Sequence, residues 1–121
     1  MTILVVDDHA PFRTFMRMTL EVEGYQVVGE AGSGEEAVSA AESLGPDAVL
    51  LDVQLGEGID GFEVARRINR LPHPPKLVMI SSRDASTYES QLAEASVCGF
   101  IPKQDFSVEA LASLLDEAPD A

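Results

Sequence analysis

Two short, wholly apolar runs in this chain end in acids. Ile3-Leu4-Val5-Val6 leads straight into Asp7-Asp8, and Ala48-Val49-Leu50-Leu51 leads straight into Asp52. A short apolar run with polar residues at its end is the pattern of a strand covered on both faces, as in a parallel sheet. In such sheets the carboxyl ends of the strands form the ligand crevice. The three acids are therefore expected to meet at one edge, where they repel each other unless a cation or a proton joins them.

Around these runs the chain alternates between apolar and amphipathic stretches five times. Thr2–Val6 reads as the first strand. Pro11–Glu23 reads as a helix with Phe12, Phe15, Met16, Thr19 and Leu20 along one side, closed by Gly24. Gln26–Ala31 is a second strand. Ser33 with Glu36 three residues on is a capping-box pattern opening a helix to about Ser43, and Gly45-Pro46 breaks the chain before the third strand, Ala48–Leu51. Val53–Asp60 has no periodicity and reads as a loop. Gly61–Leu71 reads as a helix that Pro72, Pro74 and Pro75 terminate before a fourth strand, Leu77–Ile80. A weaker helix at about Ser86–Ser96 turns Leu92, Ala93 and Val97 inward, Gly99–Ile101 is a short fifth strand, and Ser107 caps a last helix from Val108 to about Glu117, ended by Pro119. Alternation of this kind implies an α/β fold: one doubly wound five-stranded parallel sheet with helices on both faces. At 121 residues there is room for one domain over 1–121, with no output domain in this chain.

The net charge of −13, from 8 basic and 21 acidic side chains, repels nucleic acid and anionic lipid over most of the surface, so no direct nucleic acid or membrane contact is expected. No apolar stretch approaches a membrane span and no secretory leader is visible, which points to the cytoplasm. A single cysteine, Cys98, cannot form an internal disulfide and reads as a small core residue.

The strand ends carry the chemistry. Asp7 and Asp8 follow the first strand, Asp52 the third, Ser81 and Ser82 the fourth, and Lys103 the fifth. Oxygen ligands suit Mg²⁺, which usually takes one or two carboxylates plus waters and phosphate oxygens. A carboxylate can also act as a nucleophile toward a phosphoryl group, whose oxygens then need a metal, an ammonium and a hydroxyl as partners.

The ordered set Asp7-Asp8, Asp52, Ser81 and Lys103, the last within Phe100-Ile101-Pro102-Lys103, resembles a response-regulator receiver domain of the chemotaxis-regulator-like kind. The spacing is 44 residues from Asp8 to Asp52, 29 on to Ser81 and 22 on to Lys103. The resemblance covers essentially the whole chain and implies flavodoxin-like strand order 2-1-3-4-5. It makes Asp52 the phosphoacceptor of a two-component phosphorelay, charged by a histidine kinase or histidine phosphotransfer protein with Mg²⁺. Asp8 would bind the metal directly, Asp7 directly or through water, and Gln54 through its backbone carbonyl. Lys103 would pair with the phosphoryl group and Ser81 would hydrogen-bond it. Phe100 would be the aromatic switch, turning into space that Ser81 vacates. Such a domain catalyses only its own phosphorylation and dephosphorylation and is not otherwise an enzyme. A partner, an output domain or a homodimer through the fourth helix, fifth strand and fifth helix would read its state. The chain departs from the family in having Gln104 rather than proline after the lysine, Gly56 four residues past Asp52 where many have proline, and a Leu55–Asp60 loop one residue longer than usual.

Other readings fit less well. A phosphohydrolase with Asp52 as nucleophile needs a nearby general acid, which Val53 and Gln54 cannot be. A nucleotide- or flavin-binding module needs a phosphate-cradling loop after the first strand, where the acid pair stands. Gly32-Ser33-Gly34-Glu35-Glu36-Ala37 matches a G-x-G-x-x-A pattern but follows the second strand and sets two acids where a pyrophosphate would lie. His9 and His73 read as solvent-facing, since imidazole suits Zn²⁺ more than Mg²⁺.

Overall fold

The computed structural model describes residues 1–115. Five parallel strands form one sheet: β1 (Thr2–Val6), β2 (Gln26–Ala31), β3 (Ala48–Asp52), β4 (Lys76–Ser81) and β5 (Gly99–Pro102), in the order β2-β1-β3-β4-β5. The helices between them are α1 (Ala10–Val22), α2 (Gly34–Leu44), α3 (Gly61–Ile68), α4 (Glu89–Glu94) and α5 (Val108–Leu115). This is the expected doubly wound, flavodoxin-like fold.

Alternation along the central strands sorts side chains onto two faces. Leu4, Val6, Val49, Leu51, Leu77 and Met79 pack with Ala37 and Ala41 of α2 and with Phe62, Val64, Ala65 and Ile68 of α3. Ile3, Val5, Leu50, Val78, Ile80 and Ile101 pack on the other face with Met16 and Leu20 of α1 and Leu111 and Leu115 of α5. Each such side chain, fully buried, is worth about 1.5–3 kcal/mol. Covered on both faces, β1, β3 and β4 carry polar residues only at their margins: Thr2 and Lys76 open β1 and β4, and the acids and Ser81 stand at the carboxyl ends.

Local signals shape several helices. Ser33 caps α2 by accepting from the Glu36 N–H at 3.2 Å, while Glu36 Oε1 accepts from the Gly32 N–H at 2.7 Å. Asp60 caps α3 by accepting from the Glu63 N–H at 2.9 Å. Gly61 lets α3 start hard against the end of β3, because a Cβ there would collide with the Asp52 carbonyl oxygen.

Phe15 is 56% exposed, since only a narrow stripe of α1 around Met16 and Leu20 meets the sheet. The structure corrects several expectations. The third helix ends at Ile68 and not at Leu71, before the prolines are reached. The expected helix over 86–96 divides into a 3-10 turn, Ala85–Tyr88, and the short α4. Leu92 and Val97 pack against the core as expected, but Ala93 is exposed and Ala95 takes the inward position. Cys98 is exposed rather than a core residue. The expected end of the last helix at Glu117 and the stop at Pro119 lie outside the described residues. Among those residues no helix is long and apolar enough to cross a membrane.

Candidate acidic site at the strand ends

The register of the sheet delivers the functional side chains to one edge. Asp52 is opposite Ile80, and Ser81 is opposite Pro102, immediately before Lys103. Asp7 is fully buried, Asp52 is 4% exposed, and Asp8 is exposed at the rim. One carboxylate oxygen from each of the three lies within 4.8 Å of the others.

Lys103 closes the cluster. Its Nζ lies 2.7 Å from Asp7 Oδ2 and 3.3 Å from Asp52 Oδ2. The approach to Asp7 is an ion pair outside hydrogen-bond angles, so Oδ2 remains a buried oxygen with no hydrogen-bond donor. Asp7 Oδ1 does accept the His9 N–H at 2.8 Å, and Asp52 Oδ1 accepts the Gln54 N–H at 3.2 Å. The Lys103 ammonium also stands over the Phe12 ring, 4.3 Å from its centroid, a cation–π contact.

Electrostatics follow from this crowding. Burial, then the Asp7 charge, pushes the Asp52 carboxyl up to about 7, although Lys103 pulls it down. Burial lowers the Lys103 pKa, but Asp7 and Asp52 outweigh it and hold the ammonium above its ordinary value. The site is short of positive charge: three acids share one ammonium, and one buried oxygen lacks a donor. An added oxygen-seeking divalent cation fits such a donor set.

Above the acids lies an open cleft of about 720 Å³, lined by Asp8, His9, Asp52, Gln54, Ser82, Tyr88, Lys103 and their neighbours. A smaller groove of about 340 Å³ between α3 and α4 contains neither Asp8, Asp52 nor Lys103. The cleft floor depends on Gly56, whose φ of 73° suits glycine, and where a Cβ would stand 3.2 Å from Asp8 Oδ2. Proline cannot adopt that φ, so the departure at Gly56 is built into the loop. No cis peptide occurs among the described residues, as Gln104 after Lys103 implies.

A family model, the response regulator receiver domain, matches residues 3–116. The chain belongs to the response-regulator receiver family. This receiver is 39% identical over 102 residues to the response regulator GacA of Pseudomonas viridiflava, covering 84% of this chain and 47% of the relative. It therefore spans about half the length of the curated relatives it matches. Among solved structures it resembles the receiver domain of NarL from Mycobacterium tuberculosis, with TM-score 0.85 and 30% identity over 99% of this chain and 97% of that one. A LuxR-family two-component response regulator from Aurantimonas sp. SI85-9A1 superposes with TM-score 0.86 at 28% identity, over 98% and 90% of the two chains. Receiver domains of this kind are signalling switches, generally not enzymes, and they bind Mg²⁺ at an acidic pocket.

The fold brings Asp7, Asp8, Asp52 and Lys103 together, with the Gln54 N–H on Asp52, and His9 and His73 are exposed. Ser81 is buried on the neighbouring strand, where its Oγ accepts the Arg83 N–H at 3.1 Å. Phe100 is half-buried. Two residues of the receiver's site escaped the sequence reading. Arg13 donates from Nη1 to the Asp7 carbonyl at 2.6 Å while its Nε meets Glu30, so it pins the backbone that carries Asp7. Tyr88 is buried with its hydroxyl 3.3 Å from Ser81 Oγ, and its ring centroid lies 6.1 Å from that of Phe100. It occupies the neighbourhood of Ser81 that Phe100 alone was expected to use. Its only sequence signal was being the one aromatic in a polar stretch.

Proposed function

We propose that this receiver is a phosphoacceptor switch in which Asp52 takes a phosphoryl group from a phosphohistidine donor. The reading rests on one observation above all: Asp52 is a nearly buried carboxylate that shares the Lys103 ammonium with Asp7, in a cluster that Asp8 completes. In the transfer an Asp52 carboxylate oxygen attacks phosphorus, the donor's P–N bond breaks, and the imidazole keeps the electron pair. Lys103 turns from the carboxylates toward the incoming oxygens, whose charge it compensates. The Ser81 hydroxyl donates to the same group. Open access through the cleft fits delivery of a phosphohistidine carried on a large partner, a histidine kinase or phosphotransfer protein, for attack by Asp52.

Asp7, Asp8, Asp52 and the Gln54 carbonyl would hold Mg²⁺, and the clustering of three carboxylates around one ammonium supports that assignment. When bound, the metal supplies positive charge for the transferred phosphoryl oxygens. Asp7 is already fixed for this role by the His9 N–H and, through its carbonyl, by Arg13. The charged domain is read by a partner or an output domain. The balance of charge over the chain argues against nucleic acid contact by the receiver itself.

The decisive experiment is exposure to acetyl phosphate with Mg²⁺ followed by intact-mass measurement. One phosphoryl group is expected, absent in Asp52→Asn and blocked by a chelator. Label that persists on Asp52→Asn overturns the assignment.

A further inference from the structure

We infer that Tyr88 is a positioning residue of the switch: its hydroxyl holds Ser81 Oγ and ties the state of the Asp52 site to the start of α4. The inference rests on the reading of Asp52 as phosphoacceptor and adds the route by which its state leaves the site.

Tyr88 is anomalous where it stands. Ser82 to Thr87 and Glu89 to Gln91 are all exposed, yet Tyr88 is only 8% exposed. Its ring is wedged between two others, with centroids 5.7 Å away at Phe62 of α3 and 6.1 Å away at Phe100 of β5. Among the described residues its hydroxyl has one hydrogen-bond partner, Ser81 Oγ. Tyr88 is also the last residue of the 3-10 turn and immediately precedes α4. That helix has six residues and none of them is buried. A six-residue helix has little stability of its own, so its place depends on what anchors it. The anchor at its N-terminal end is Tyr88.

The hydroxyl of Ser81 carries a single proton. Its oxygen already accepts the Arg83 N–H and meets the Tyr88 hydroxyl. When Ser81 swings to give that proton to a phosphoryl oxygen, the Tyr88 hydroxyl either follows the serine or loses its partner in a buried place. A buried hydroxyl without a partner is unfavourable, so Tyr88 moves in both cases. Motion of a ring held between Phe62 and Phe100 is felt at β5 and at the first turn of α4 together. A two-state element at α4 is thereby biased from Asp52 through two hydroxyls.

The chain has two tyrosines, Tyr25 and Tyr88, and no tryptophan, which makes a direct test simple. Fluorotyrosine-labelled protein with Mg²⁺ is titrated with beryllofluoride, a phosphoryl mimic, and followed by fluorine NMR. The Tyr88 signal is assigned by its loss in Tyr88→Phe. It is expected to shift on binding while that of Tyr25 stays in place. Amide shifts over Glu89–Glu94 should respond to beryllofluoride in the unsubstituted chain. They should be lost in Tyr88→Phe, which keeps the ring and changes only the hydroxyl. Bound beryllofluoride has its own fluorine signal, so occupancy is read independently. A static Tyr88 signal with beryllofluoride bound overturns the inference, as does an undiminished α4 response in Tyr88→Phe. Should Tyr88→Phe fail to fold, the Tyr88 signal is assigned instead as the one that survives in Tyr25→Phe, and its response in the unsubstituted chain decides alone. Absence of bound beryllofluoride in that chain overturns the Asp52 reading itself and the inference with it.

Discussion

Lys103 touches more of the site than any other side chain, reaching Asp7, Asp52 and the Phe12 ring at once. Lys103→Ala should slow acetyl phosphate labelling of Asp52 by about two to three orders of magnitude, the scale seen when one preorganised electrostatic partner is removed. A time course of intact mass measures it. Asp52 makes a second prediction, about pH. Burial and the Asp7 charge raise its pKa in the folded chain from an ordinary 3.8 to about 7, so between those values the folded chain keeps a proton that the unfolded chain has released. This contribution to stability is complete below the unfolded value, shrinks across the interval between the two, and is gone above about 7. Metal-free melting temperatures should therefore fall from about pH 5 to about pH 8, and a rise over that range would refute the raised pKa. These acids and the lysine were legible in the sequence because each stands at a strand end. Tyr88 and Arg13 were not, because their roles depend on contacts across elements that spacing cannot reveal.

Elements were read well wherever burial and punctuation agreed. β1 and β2 have the expected limits, and Ser33 opens α2 as its capping pattern implied. Ser33→Ala should cost about 1 kcal/mol, measured by denaturant unfolding, with the site intact. α4 was read poorly for a physical reason: it buries nothing of its own, so its residues carry no clear 3.6-residue pattern. Phe15 shares the apolar side of α1 yet stays exposed, because periodicity marks a face broader than the stripe that reaches the sheet. Gly61 belongs to this scale as well, since it sets how closely α3 approaches β3. Gly61→Ala should destabilise by about 1–3 kcal/mol through overpacking and should also depress labelling, because the displaced backbone is that of Asp52. Full labelling in a destabilised Gly61→Ala would separate the helix junction from the site.

Over the whole molecule the net charge is −13, and the site repeats that imbalance, with three clustered acids and one ammonium, Lys103. Mg²⁺ at a hundred times its dissociation constant should add about 2.7 kcal/mol, provided it binds only the folded state. The gain should be larger near pH 8 than near pH 5, where protons compete; an unchanged melting temperature in saturating Mg²⁺ would count against the site. The lysine that balances these acids comes late: Lys103 lies 51 residues beyond Asp52 and directly after the final strand of the sheet. A chain leaving the ribosome thus exposes its acids long before their counter-ion exists, and closing the sheet around Asp7 ahead of β5 would bury uncompensated charge. Docking of the last strand, which brings Lys103 to the acids, is therefore expected to act as an electrostatic latch on folding. Refolding of Lys103→Ala should accordingly lag behind the unsubstituted chain near pH 8 and approach its rate near pH 5, as stopped-flow kinetics would reveal.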